Sequence, residues 1–150
     1  MNLKERINED LKSAMKSGDR LRLETIRSIR ALILEFEKSG VGREMNGEEE
    51  IKTLTGAAKK RKESIEQFRN AGREELAVKE EAELKIIEEY LPRQLTPEEV
   101  FEEVKKIAEE LGAKAKEDFP KLMPVAAKTL KGKADGKLVK EMVEKYLGAN

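Results

Sequence analysis

Apolar residues recur every three or four positions along this chain and nowhere alternate long enough to make a strand, so its pattern supports helices alone. Leu3, Ile7, Leu11 and Ala14 draw the first stripe, which Gly18 closes. Asp19 is placed to cap a second helix carrying Leu23, Ile26, Ile29, Ile33 and Phe36, and a glycine-bearing loop then runs from Gly40 to Gly47. A third helix begins near Gly47 with Glu48, Glu49 and Glu50 at the positive end of its dipole, and Asn70-Ala71-Gly72 ends it. The fourth runs from about Glu74 to Tyr90, ahead of Pro92.

The sharpest boundary is Leu91-Pro92-Arg93-Gln94-Leu95-Thr96-Pro97-Glu98-Glu99, where Thr96 can cap, Pro97 suits the first helical position and Glu99 completes a capping box. Val100, Val104, Ile107 and Leu111 follow as one stripe, and Gly112 closes it. Asp118 is positioned to cap a sixth helix with Leu122, Met123, Ala126 and Leu130 inward, and Pro124 must sit in its first turn or kink it. Asp135 caps the last helix, which carries Val139, Met142, Val143 and Tyr146. The expectation is an all-α fold: a four-helix N-terminal domain over 1–92 and a smaller three-helix C-terminal domain over 96–150.

Composition narrows the chemistry. Cysteine, histidine and tryptophan are absent, which removes disulfides, thiolate nucleophiles, imidazole acid–base catalysis and most zinc or iron sites. No catalytic residue, cofactor or metal site is expected. The first residues form no apolar run of the signal-peptide or membrane kind, so a cytoplasmic protein with no membrane partner is predicted. Lys plus Arg and Asp plus Glu both total 31, so any basic surface must be local, and no bulk coating of DNA is expected.

Three constellations stand out. Arg61 falls on the apolar stripe of the third helix, while Glu80 and Glu83 fall on that of the fourth. If these helices turn back on each other near Gly72, Arg61 pairs with Glu83 or Glu80, because a lone charge inside a helical core is prohibitively costly. The expected role is architectural. Lys59-Lys60-Arg61-Lys62 is a basic run, yet successive helix residues point in different directions, so a solvated face accounts for it more simply.

The third constellation is a segregation of charge along the chain. Residues 80–110 hold eleven acids and four bases, whereas residues 111–150 hold nine lysines and five acids. Lys128, Lys131, Lys133, Lys137 and Lys140 gather around the last inter-helix loop, where Gly132 is also a candidate for close approach to phosphate. A solvated charged face remains the alternative. The loop is not a Walker A motif: its glycine spacing is one residue short, and no Ser or Thr follows Lys137.

The segments Lys59-Lys60-Arg61-Lys62-Glu63-Ser64-Ile65-Glu66-Gln67-Phe68, Ala71-Gly72-Arg73-Glu74-Glu75-Leu76, Tyr90-Leu91-Pro92 with Gln94-Leu95, and Gly132-Lys133-Ala134-Asp135-Gly136-Lys137-Leu138-Val139 together resemble the YqeY family. The resemblance covers essentially the whole chain. One departure is Pro120, where the family more often has glycine, which implies a different start for the sixth helix. The resemblance implies an N-terminal helical domain joined to a C-terminal one similar to the tail of the B subunit of glutamine-dependent aspartyl/glutamyl-tRNA amidotransferase. In that enzyme the tail engages tRNA. The resemblance therefore implies tRNA as a partner, or an accessory place beside an amidotransferase that joins carbon to nitrogen with glutamine as amide donor, and it carries over no active site. A protein-interaction adaptor that holds no RNA is a third reading.

Overall fold

A computed structural model of the chain describes residues 1–148. The described residues are all-α, with seven α-helices and one short 3-10 turn and no strand. They are α1 (Leu3–Ser17), α2 (Arg20–Lys38), α3 (Gly47–Asn70), α4 (Glu74–Glu88), α5 (Pro97–Leu111), α6 (Phe119–Thr129) and α7 (Gly136–Gly148), with the 3-10 turn at Lys116–Asp118. Contacts gather them into two compact units, one from Met1 to Pro92 and one from Arg93 onward.

Local chemistry sets the helix ends of the first unit. The side chains of Asn2 and Asp19 accept from the backbone N–H of Glu5 and Arg22, capping α1 and α2. Asn46 and Glu49 form a reciprocal capping box at the start of α3. Arg43 clamps the same Glu49 and, with the Asn46 N–H, holds its carboxyl down to about 2. Gly72 turns the chain between α3 and α4 at φ +73°, and the Arg73 N–H closes the turn onto the Phe68 carbonyl at 2.7 Å.

Ile7 of α1, Ile26 and Ile29 of α2, Leu54 of α3 and Ile87 of α4 are the large side chains that fill the first core. Helix α2 packs along α1 and α4 but meets α3 only slightly, so α2 and α3 splay apart. At the other end of α4, Tyr90 donates its hydroxyl to Asp10 while the Arg6 guanidinium stacks over its ring, 4.9 Å from the centroid.

In the second unit the capping box of Thr96 and Glu99 starts α5, with Pro97 in the first turn, and Gly112 ends it at φ +72°. Val100 and Val104 of α5, Leu122 of α6 and Val139 and Val143 of α7 are fully enclosed in one core, and Phe101 and Tyr146 meet edge to face at its margin. Asp118 does not cap α6, contrary to expectation. Its carboxylate turns back to accept from the N–H groups of Lys114 and Ala115, at 2.8 and 3.1 Å. The reason is local: Asp118 closes the 3-10 turn with φ −86° and ψ 0°, outside the extended backbone that a capping residue adopts, and its carboxylate is already taken by the N–H groups ahead of that turn. Pro124 stays inside the helix.

Candidate functional site: a lysine-rich turn and a part-buried ion cluster

The α6–α7 turn is built by the backbone before its side chains matter. Gly132 adopts φ +82°, and the N–H groups of Lys133 and Ala134 both return to the Leu130 carbonyl. Two bonds then fasten the turn to the segment entering α5. The Gln94 side-chain amide donates to the Gly132 carbonyl at 2.8 Å, and the Leu95 N–H donates to the Lys133 carbonyl at 2.9 Å. Asp135 accepts from the Lys137 N–H at 3.0 Å and so opens α7.

This arrangement places the predicted residues unequally. Gly132 is buried, with its carbonyl used internally, and serves the turn. Lys128, Lys131, Lys133, Lys137 and Lys140 are all exposed around it. Lys140 lies 3.8 Å from Glu144 one turn on, a weak surface pair. Lys128, Lys133 and Lys137 have no carboxylate within 4 Å among the described residues. Sequence reasoning missed Gln94 as the tie that shapes this turn, and no spacing rule could have linked two residues 38 apart.

In the first unit, α3 and α4 bring Arg61, Glu80 and Glu83 together. The Arg61 Nε donates to Glu83 Oε2 at 3.0 Å and lies 3.5 Å from Glu80 Oε2, while its Nη2 donates to the Ser28 hydroxyl of α2 at 3.3 Å. The three charged side chains are 13–23% exposed. Glu83 thus has a true hydrogen bond. Glu80 Oε2 is buried and has none, since its approach to Arg61 is a charge contact without hydrogen-bond geometry.

Burial, followed by the neighbouring Glu83 charge, raises the Glu80 carboxyl above its ordinary range. A carboxyl raised by folding costs stability while it is charged. That cost is present above its folded value and is relieved as pH falls toward the unfolded value near 4.5. We expect Glu80→Gln to raise the melting temperature at pH 7 and Glu83→Gln to lower it, with the Glu80→Gln gain shrinking toward pH 4.5. Equal losses from both variants at pH 7 would contradict this ranking of the two acids.

No group of three or more acidic side chains converges as a metal site among the described residues. No described helix is long and apolar enough to cross a membrane. The chain is therefore an all-helical protein of two compact units, one organised around a charged cluster and the other presenting a lysine turn. The family model described as Yqey-like protein matches residues 4–147, and the chain belongs to that family. It is also similar to the altered inheritance of mitochondria protein 41, mitochondrial, of Pyrenophora tritici-repentis. The two are 32% identical over 147 residues, covering 96% of this chain and 80% of that protein.

Proposed function

We propose that the chain is a tRNA-associated binding module, in which the α6–α7 turn of the second unit lays lysines against the phosphate backbone. The observation that carries this reading is the exposure of Lys128, Lys133 and Lys137 around one turn with no carboxylate within 4 Å among the described residues. Ammonium groups left unneutralised in that way gain by releasing counterions from a polyanion. The backbone carbonyls of Gly132 and Lys133 are drawn inward by Gln94 and Leu95, which keeps acceptor dipoles from competing for the same lysines. The resemblance of this segment to the amidotransferase tail supports tRNA as the polyanion.

Two further elements belong to this proposal. The units act as separate domains, 1–92 and 96–150, with RNA contact assigned to the second. The protein works as an accessory component beside an amidotransferase or another protein, a role that fits a sequence with no cysteine, no histidine and no Walker A loop. The reading requires a compartment that holds tRNA. The cytoplasm expected from the sequence does, and so does the organelle in the fungal relative's name.

The test is tRNA binding across a salt series, comparing the native chain with a variant in which Lys128, Lys133 and Lys137 are changed to Glu. Each lost phosphate contact lowers the slope of log affinity on log salt by about 0.7–0.9, so the triple variant should lose roughly two units of slope. Its affinity at low salt should fall by at least about tenfold. Absence of binding by the native chain to bulk tRNA at low salt, or an unchanged slope in the variant, would refute the proposal.

A further inference from the structure

The splay between α2 and α3 leaves an open groove of about 680 Å³ on the first unit, within the range of ligand-binding clefts. We propose that this groove seats an amphipathic helix of a partner protein, one that lays an acidic flank along α3 and a basic flank along α2. The proposal does not rest on the lysine turn, which belongs to the other unit.

The apolar face of α2 is wider than its core requires. Ile26, Ile29 and Ile33 are buried in the core, and the face continues past them to Phe36 and Leu32, which line the groove, with Leu32 37% exposed. Arg43 covers part of Phe36, 5.8 Å from the ring centroid, whereas Leu32 belongs neither to the core nor to its margin. Across the groove, Met45 and Ala57 complete an apolar floor.

Gly56 supplies a second and independent observation. It sits in the interior of α3 and lines the groove. Its φ is not positive, and a Cβ built there would meet nothing within 4 Å. Neither backbone conformation nor packing in this chain therefore calls for glycine, although glycine costs a helix interior about 1 kcal/mol relative to alanine. A position without a side chain is useful where another backbone must come close, as when two helices cross.

The rim indicates what that helix carries. Lys52 and Lys60 lie two turns apart on the α3 side; Lys52 is drawn to Glu49 at longer range, and neither lysine has a carboxylate within 4 Å among the described residues. Glu35 stands on the α2 side and likewise has no cation within that distance. The other charged groups of the lining are already held: Arg61 by Glu83 and Ser28, Glu49 by Arg43. What remains open is basic along α3 and acidic along α2. A helix with acids on one flank and lysines on the other complements both edges, and its apolar stripe fills the floor at i, i+4 and i+7. From Glu49 to Lys60 the groove follows α3 for three turns, or roughly 18 Å at 1.5 Å per residue, so a partner helix of about 12 residues fills it.

The experiment uses the full chain and a fluorescent synthetic peptide, an amphipathic helix with Leu at i, i+4, i+7 and i+11, Glu along one flank and Lys along the other. A second peptide with the same leucines and Gln in place of every flanking Glu and Lys is the control. Anisotropy titrations at low salt should show the charged peptide binding at least about tenfold more tightly than the control, since only the charged one complements both edges. Gly56→Leu, which fills the floor, should abolish this preference while leaving the melting temperature unchanged or higher. Equal binding of both peptides, or binding indifferent to Gly56→Leu, overturns the proposal. So does a self-associated chain that Gly56→Leu converts to monomer, which would make a second copy the occupant. Displacement of the peptide by decanoate at lower concentration than unlabelled peptide also overturns it, in favour of a small anionic amphiphile.

Discussion

Replacing Arg61 by alanine is expected to lower the urea midpoint of the first unit sharply, by the equivalent of about 2–4 kcal/mol. The substitution leaves the Glu83 carboxylate without its 3.0 Å donor and Glu80 without its nearest cation, with both acids still largely enclosed by α3 and α4. It also removes the donor to Ser28, and with it a polar link from α3 to α2. Two like charges then face each other in a poorly hydrated site. Replacing the whole cluster, as Arg61→Met with Glu80→Leu and Glu83→Leu, should return most of the loss, because well-packed apolar side chains often match or exceed a buried ion group. Urea melts followed by circular dichroism decide it. An Arg61→Ala midpoint within experimental error of the native one would show that the cluster contributes nothing to the fold.

The second large effect is expected from Leu122→Ala. Leu122 is fully buried where α6 meets the rest of the second core, and truncation of such a leucine costs about 2–5 kcal/mol. A helical unit this short rarely has more than about 3–5 kcal/mol in total. The variant should therefore unfold from Arg93 onward at room temperature and lose tRNA binding, while the first unit keeps its slow amide exchange. Hydrogen exchange read by mass spectrometry reports each segment separately. Fast exchange spreading through α1 to α4 would contradict the proposal that the units are separate domains.

Most helix ends were legible because capping chemistry is local. Asp19, Thr96 with Glu99, Gly112 and Asp135 act as their positions in the sequence suggest. Asn46 with Glu three residues on carries the same capping-box pattern, beside an acidic triplet that also suits the helix dipole. Asp118 is not the cap its position suggests, because it also ends the 3-10 turn and spends its carboxylate on the N–H groups of Lys114 and Ala115. The meeting of Arg61 with Glu83 followed from helical periodicity plus one assumption, the reversal at Gly72.

The candidate sites were only partly legible. Lysines close together in sequence around a turn announce themselves, and their exposure follows from their charge. The groove does not announce itself, since it depends on how far α3 stands from α2 once both are packed on α4, which no local pattern encodes. Phe36 reads from sequence as one more member of the α2 stripe, and nothing in the local pattern marks Leu32 or Gly56. Gln94 was hidden for a similar reason, because its partner is a backbone carbonyl brought near only by tertiary folding.

The stretch joining α4 to α5 looks, by composition, like slack rope. Half of it is moored. The Leu95 amide and the Gln94 side chain are both tied to the last loop of the second unit, and Arg93 beside them grips Glu99 at 2.9 and 3.1 Å. Lengthening the chain on the near side of Gln94 would leave the mooring intact, whereas an insertion between Leu95 and Thr96 would pull the lysine-bearing loop out of shape from the opposite end of the unit's sequence.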